Sequence, residues 1–192
     1  MTANIYWQWK KSIPESVCEI MLSEMKNFNF RDAKVADASH ITEDNADLDI
    51  EHRKSKVTFL PANHWFEGIL NNYVRYANVQ AGWNYDIRGN EAIQYTMYEK
   101  DGLYDWHTDQ EMYNVSPIMR KLSVVCQLNK SSEFTGGGLY YKNADMIESK
   151  ESILSEQGDV IVMPSYILHK AKEILSGQRI TLVLWAVGPA WV

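Results

Sequence analysis

Apolar residues recur at helical spacing in two segments of the first third of the chain. The first segment begins at Ser12-Ile13-Pro14, and proline suits the first turn of a helix. Its apolar positions are Val17, Ile20, Met21, Met25 and Phe28. The second segment follows Asn63, a residue type that caps helices, and its apolar positions are Phe66, Ile69, Leu70, Tyr73, Val74 and Ala77. The spacing predicts two amphipathic helices that each bury one face against a sheet.

From Trp83 onward the pattern changes to short apolar runs separated by turn residues. Strands are predicted at Ile5–Trp9, Lys56–Leu60, Glu91–Tyr95, Arg120–Leu128, Gly138–Tyr141 and Val160–Met163. Turns are predicted at Gly89-Asn90, Asp101-Gly102, Gly136–Gly138, Gly158-Asp159 and Ser176-Gly177. The predicted fold class is mainly β with flanking helices (α+β): a double-stranded β-helix, or jelly roll, with N-terminal supporting helices.

The length and composition of the chain suit one domain. A chain of 192 residues, 45% of them hydrophobic, can bury a substantial core without disulfides. We expect one domain over residues 1–192, with helical support mainly in 12–80 and the β-helix core mainly in 82–190. Cys18 lies in a predicted helix and Cys126 in a predicted strand, which favours reduced thiols in a cytosolic protein over a disulfide.

Charge and hydropathy exclude two classes of partner. The formal net charge is −6, and the chain lacks the clustered Lys and Arg that phosphate neutralisation requires, so we expect no nucleic-acid binding. The basic run His52–Lys56 is typical of a solvated strand edge. No apolar run reaches the roughly 20 residues of a membrane helix and no leader pattern is present, which predicts a cytoplasmic protein without membrane contact. The sequence gives no indication of the oligomeric state.

Candidate chemistry lies in His107-Thr108-Asp109, followed by His169 and by Arg179. Alternate residues of a strand point the same way, so His107 and Asp109 can reach one metal ion, and His169 must arrive from a distant strand. Two imidazoles and one carboxylate occupy one face of an octahedral ion and leave positions for an organic cosubstrate and oxygen. The guanidinium fork of Arg179 suits a carboxylate. A single His-x-Asp pair often arises by chance. The pair followed in order by His169 and Arg179 indicates an active site.

Four segments carry a resemblance to a known family. They are Tyr98–Asp109 (YEKDGLYDWHTD), Arg120–Asn129 (RKLSVVCQLN), Phe134–Leu139 (FTGGGL) and Gly158–Trp185 (GDVIVMPSYILHKAKEILSGQRITLVLW). They resemble the iron(II)- and 2-oxoglutarate-dependent dioxygenases, and within these the prolyl 4-hydroxylase-like branch that includes bacterial PKHD-type hydroxylases. The resemblance is strong over the C-terminal half and weaker upstream, in Arg53–Ser55, Asn63–Asn78 and Glu91–Tyr95.

The resemblance implies a role for each matching residue. Fe(II), chosen over manganese or zinc by the resemblance alone, would be bound by the catalytic residues His107, Asp109 and His169. The distal carboxylate of 2-oxoglutarate would be bound by Arg179, with Tyr98, Thr181 and Gln127 as further cosubstrate contacts. O₂ would be consumed, and ascorbate would stimulate turnover. Substrate contacts are assigned from position and not from the resemblance: Tyr104 and Tyr113 flank the His107–Asp109 motif, and Trp185 lies six residues after Arg179 and therefore on the same strand face, with core packing as its alternative interpretation.

The implied reaction is hydroxylation of an unactivated C–H bond, with release of succinate and CO₂, most specifically at a prolyl residue of a peptide or protein. The carboxylate of Asp109 favours hydroxylation over halogenation, because related halogenases carry a small residue there. Alternatives are another side chain, a free amino acid or another small metabolite as substrate. Two further alternatives are a catalytically idle jelly roll that binds metal or peptide, and a cupin-like zinc or manganese enzyme that works without 2-oxoglutarate.

One departure from the family pattern bears on the substrate. Family members often read Gly-Gly-Glu-Leu where this chain has Gly137-Gly138-Leu139, so an acidic residue near the barrel mouth is absent. Specificity in this fold depends on loops, here Asp32–Ile50 and Gln110–Met119. The acidic composition of Asp32–Ile50 indicates a solvated loop, with a lid over the site as the alternative interpretation.

Overall fold

The computed structural model describes residues 4–33, 51–110 and 117–190. Its helices are α1 (Glu15–Met25) and α2 (Trp65–Gln80), and a 3-10 turn covers Ser131–Glu133. The strands are β1 (Trp7–Trp9), β2 (Arg31–Asp32), β3 (Arg53–Lys54), β4 (Lys56–Phe59), β5 (Gly89–Asn90), β6 (Gln94–Tyr98), β7 (Leu103–His107), β8 (Ile118–Gln127), β9 (Phe134–Gly136), β10 (Leu139–Tyr141), β11 (Val160–Pro164), β12 (His169–Ala171), β13 (Ile174–Gly177) and β14 (Arg179–Pro189).

The strands pair antiparallel in two main sheets. The major sheet has the order β1-β11-β8-β14-β6-β4-β2, with β5 also paired to β14. The minor sheet has the order β10-β12-β7-β3, and β13 pairs with β9. Neighbours in both sheets are mostly distant along the chain, as the winding of a jelly roll requires. The predicted fold class, mainly β with two supporting helices, is confirmed.

The central strands of the major sheet are buried on both faces. Between Leu122 and Cys126 of β8, and between Ile180 and Ala186 of β14, even-numbered residues such as Val124 and Leu182 belong to the core that packs against α1 and α2. Odd-numbered residues, such as Val125 and Thr181, line a cavity on the opposite face. Because side chains alternate along a strand, one strand supplies both the core and the cavity wall.

The helices cover one face of the major sheet, as predicted, but differ from the prediction in detail. The core side of α2 is formed by Phe66, Leu70, Val74 and Ala77. In α1, Cys18 and Met21 are buried whereas Ile20 is 51% exposed, so the predicted core position of Ile20 is wrong. The cap of α2 is His64, whose Nδ1 accepts from the amide of Phe66 at 3.3 Å, and not Asn63.

Both cysteines are buried and free, which agrees with the predicted absence of a disulfide between them. Neither helix among residues 4–33, 51–110 and 117–190 has the length and hydropathy needed to cross a bilayer.

The turn at Gly177 yields a stability prediction. Gly177 has φ +76°, and a Cβ there would lie 2.0 Å from the carbonyl oxygen of Glu133. Gly177→Ala should therefore lower the free energy of unfolding by about 2 kcal/mol or more. The cost of a left-handed backbone at alanine and the cost of the clash with the Glu133 carbonyl add together. A Cβ added at Gly68, in the interior of α2, would meet nothing within 4 Å. Gly68→Ala should raise the free energy of unfolding by roughly 0.5–1 kcal/mol, and urea titration of both variants measures the contrast.

Candidate metal centre and cosubstrate pocket

The minor sheet brings the two predicted histidine ligands together. His107 ends β7, His169 begins β12, and the two residues are direct partners in the antiparallel pair. Asp109 follows two residues after His107, and its amide donates to the carbonyl oxygen of Ser165 at 2.9 Å. The carboxylate of Asp109 lies 3.8 Å from Nε2 of His107 and 3.7 Å from Nε2 of His169. All three ligand atoms lie within 4.8 Å of one another, so one ion can contact all of them.

Hydrogen bonds orient both imidazoles with Nε2 toward the carboxylate. Nδ1 of His107 donates to the carbonyl oxygen of Asp105 at 2.7 Å, and Nδ1 of His169 donates to that of Ile167 at 2.8 Å. A carbonyl oxygen can only accept, so Nδ1 carries the proton and Nε2 of each neutral ring presents a lone pair. Burial and the neighbouring His169 lower the pKa of His107 to about 3, which keeps its ring neutral near pH 7 and ready for a metal.

The carboxylate of Asp109 stays ionised although its side chain is only 9% exposed. Burial acts to raise its pKa, but attraction to His169 and His107 when either ring is protonated, a hydrogen bond from Ser123 and the nearby Arg120 lower the pKa. A buried carboxylate between two imidazoles that present lone pairs is the donor set of a two-histidine, one-carboxylate metal site. The described residues therefore fit a divalent metal without rearrangement of the strands.

Tyr104 packs on the metal-site histidine. Its ring stacks on that of His107 with centroids 3.4 Å apart and an angle of 9° between the planes. The guanidinium of Arg53 lies on Tyr104 as well, 4.4 Å from the ring centroid. Tyr104 also lines the cavity in front of the metal site, at the position where the sequence predicted a substrate contact.

Arg179 is buried in the wall of the same cavity without a charged partner among the described residues. It is 2% exposed, its Nε donates to Oε1 of Gln127 at 2.9 Å, and its Nη2 has no hydrogen-bond partner. Burial lowers the pKa of Arg179 to about 10, so the guanidinium is still charged at pH 7. A buried charge without a counter-ion is costly, and an anion bound in the cavity would offset that cost.

Three further predicted cosubstrate residues surround Arg179. Tyr98 and Thr181 line the cavity, and burial raises the pKa of Tyr98, which keeps its hydroxyl protonated. Gln127 does not line the cavity. Its Nε2 donates to Oδ1 of Asn129 at 2.9 Å, which turns Oε1 toward Arg179. Alternation alone left the direction of Gln127 undecided; the structure points it inward, where it positions Arg179.

The cavity, of about 260 Å³, lies between the two sheets. Trp185 lines it on the same strand face as Arg179, as predicted, and its indole Nε1 is buried without a hydrogen-bond partner. Leu139 lines it from β10, so the wall next to Gly138 is apolar where the family often has an acid. Tyr113, the third predicted substrate contact, lies outside the described residues, as do most of the two predicted specificity loops.

Sequence reasoning missed an ion pair at the cavity wall. Arg120 donates two hydrogen bonds of 2.6 Å to the carboxylate of Glu91, and its guanidinium lies 3.8 Å from the ring centroid of Trp185. These residues lie on three separate segments, and no short-range spacing links them. Arg53 was also missed as a site residue, because the sequence presented it only in a basic run and in a weak upstream stretch of the resemblance.

Comparisons with known proteins agree with this geometry. Residues 93–187 match the model of the 2OG-Fe(II) oxygenase superfamily. A PKHD-type hydroxylase of Idiomarina loihiensis is 27% identical over 88 residues, which are 46% of this chain and 38% of that protein. The chain thus spans well under half the length of this curated relative.

Solved structures share the fold at low identity. A prolyl-4-hydroxylase from Pseudomonas putida superposes with a TM-score of 0.68 at 17% identity, over 95% of this chain and 91% of the other. A prolyl hydroxylase from Trichoplax adhaerens, in complex with a peptide fragment of hypoxia inducible factor, superposes with a TM-score of 0.71 at 17% identity, over 95% of this chain and 83% of the other. Both have the jelly roll around which this chain is built.

Proposed function

Because residues 93–187 place this chain in the 2OG-Fe(II) oxygenase superfamily, we propose that it is a hydroxylase that uses Fe(II), 2-oxoglutarate and O₂ on a prolyl residue of a peptide or protein. One observation carries the assignment of the cosubstrate. The cavity that contains His107, Asp109 and His169 also contains a buried guanidinium, Arg179, whose Nη2 has no partner in the described residues. A dicarboxylate that reaches both the metal and Arg179 satisfies both sites.

Each group of residues has a distinct task in this proposal. His107, Asp109 and His169 bind Fe(II), and Arg179 binds the distal carboxylate of 2-oxoglutarate, with Gln127 positioning the guanidinium. When bound, iron and 2-oxoglutarate supply the oxidative decarboxylation that yields succinate and CO₂ and makes an unactivated C–H bond reactive. Leu139, Val183 and Trp185 contribute to the apolar part of a cavity wall that is otherwise largely polar. Helices α1 and α2 support this site from behind the major sheet, and the proposed metal and cosubstrate residues all lie within residues 82–190.

Two observations support a peptide substrate. The indole N–H of Trp185 is buried in the cavity wall without a partner, and a substrate carbonyl is a suitable acceptor for it. The cavity also shares Arg53, Phe59 and Gln94 with a second hollow of about 500 Å³, so the concave surface continues beyond the metal site. An extended chain fits such a surface better than a compact metabolite does. Prolyl hydroxylases among the similar folds give proline as the residue to test first.

The test is turnover of a peptide library with a single central proline, in air, with Fe(II) and 2-oxoglutarate. We expect one succinate for each peptide that gains one oxygen atom, measured by mass spectrometry, and no product when 2-oxoglutarate is omitted. Turnover that does not depend on 2-oxoglutarate would instead support the cupin-like zinc or manganese enzyme. If succinate forms with a free amino acid and with none of the peptides, the proposed reaction stands. Its substrate is then a free amino acid and not a peptide.

A further inference from the structure

Arg53 places an unneutralised positive charge at the mouth of the cavity. It pairs across strands with Tyr104, and its guanidinium rests on the Tyr104 ring at 4.4 Å. Its Nε donates to the hydroxyl of Ser55 at 3.2 Å, which leaves the two Nη groups available. Within residues 4–33, 51–110 and 117–190, no carboxylate lies within ion-pair distance of Arg53.

The other two arginines that line the cavity each have an anionic partner, observed for one and proposed for the other. Arg120 is neutralised by Glu91 through two hydrogen bonds of 2.6 Å. Arg179 lies deeper, and the proposed function gives it the distal carboxylate of 2-oxoglutarate. Arg53 is therefore the cation that the described cavity residues and the cosubstrate leave without a counter-charge. In a protein with a formal net charge of −6, an excess of positive charge in a concave site attracts an anionic ligand.

A second guanidinium continues the positive surface away from the metal. Arg31 and Arg53 both line the hollow of about 500 Å³ that adjoins the cavity. Arg31 lies 5.9 Å from the ring centroid of Phe59, and Phe59 lines both concave regions. One acid, Asp32, lies among the described lining residues, and its carboxylate is beyond ion-pair distance of both arginines. The two arginines thus form a positive rim, Arg53 nearer the metal and Arg31 farther out.

We propose that the substrate carries a carboxylate beside the residue that is hydroxylated, and that Arg53 binds this carboxylate with Arg31 as the second contact along the rim. The inference rests on the proposed function, because it assumes that the substrate enters this cavity. Guanidinium groups bind carboxylates through paired hydrogen bonds, and both groups here are backed by an aromatic ring that limits their motion. The substrate class is therefore an acidic peptide, with Asp or Glu within a few residues of the target proline.

The test is direct binding of four blocked, fluorescein-labelled peptides to the Fe(II)- and 2-oxoglutarate-loaded protein without oxygen. The peptides combine a central proline or alanine with glutamate pairs or glutamine pairs on both sides, so that neither chain direction is assumed. The variant is Arg53→Gln. The matched control is Arg75→Gln, which removes the same charge from an exposed position of α2, the helix behind the opposite face of the major sheet.

We expect the glutamate peptide with proline to bind the unmodified protein about tenfold more tightly than its glutamine counterpart, as one charge-assisted contact allows. Arg53→Gln should remove that preference and leave binding of the glutamine peptide unchanged, which shows that the pocket is intact, whereas Arg75→Gln should keep the preference. Equal binding of glutamate and glutamine peptides by the unmodified protein would overturn the inference and leave the proposed function standing. If the protein prefers glutamate peptides equally whether the central residue is proline or alanine, the positive rim is supported. The prolyl substrate is then refuted. No binding of any of the four peptides would refute both.

Discussion

Asp109→Ala is expected to abolish turnover, because the carboxylate is one of three metal ligands and the only anionic one in the described cluster. Structural zinc sites, with about four ligands, gain roughly 10–16 kcal/mol on binding, so one ligand is worth roughly 2.5–4 kcal/mol. Loss of that free energy should weaken metal binding about 100- to 1,000-fold. Iron titration followed by 2-oxoglutarate-dependent succinate formation measures both effects.

Asp105→Ala is the matched control for this variant. Asp105 lies on β7 with an exposed side chain, and its backbone carbonyl accepts the hydrogen bond from Nδ1 of His107. Removing the Asp105 side chain leaves that carbonyl in place, so metal affinity should change by less than about twofold. Full activity of Asp109→Ala, with metal still bound, would remove Asp109 from the ligand set.

Arg179→Gln is expected to have opposite effects on cosubstrate binding and on stability. The proposed function gives the buried guanidinium the distal carboxylate of 2-oxoglutarate, so the KM for 2-oxoglutarate should rise about 100-fold, with kcat at saturation much less affected. In the ligand-free protein the same charge has an Nη2 without a partner, and its pKa is lowered to about 10 by burial. From an ordinary value of 12.5, that shift corresponds to an unfavourable free energy on the order of 3 kcal/mol.

Replacing Arg179 should therefore leave the melting temperature of the ligand-free protein unchanged or higher, while the stabilisation by added 2-oxoglutarate disappears. Arg179→Lys keeps the charge but loses the fork that contacts both Gln127 and the cosubstrate, and should give an intermediate KM. Differential scanning calorimetry with and without 2-oxoglutarate separates the two effects. A melting temperature that falls by the same amount with and without 2-oxoglutarate would make Arg179 a structural residue.

Local patterns were sufficient to predict the parts of the site that lie on single strands. The two-residue spacing predicted that His107 and Asp109 reach one metal ion, although Asp109 lies two residues beyond the end of β7 and not on the strand itself. Arg179 and Trp185 are six residues apart on β14 and both line the cavity. The helical period likewise predicted the buried face of α2 that contains Phe66 and its neighbours.

Features that depend on the register between distant strands could not be predicted from local pattern. The direct pairing of His169 with His107, and the contact of Arg120 with Glu91, follow from how β7, β12, β6 and β8 are arranged in space. Ile20 has the right spacing for the core yet is exposed, because the width of the face that α1 buries is set by the sheet it meets. Gln127 had two equivalent directions until the bond to Arg179 selected one.

The measurement that tests the central claim most directly is an anaerobic titration of the purified protein with Fe(II) and then with 2-oxoglutarate, followed by visible absorption. We expect the weak charge-transfer band of an iron-chelated keto acid to appear only when both are present. The band should be absent in Asp109→Ala and should require about 100-fold more 2-oxoglutarate in Arg179→Gln. Bound iron, confirmed by metal analysis, with no band at any 2-oxoglutarate concentration would contradict the assignment of this site to 2-oxoglutarate.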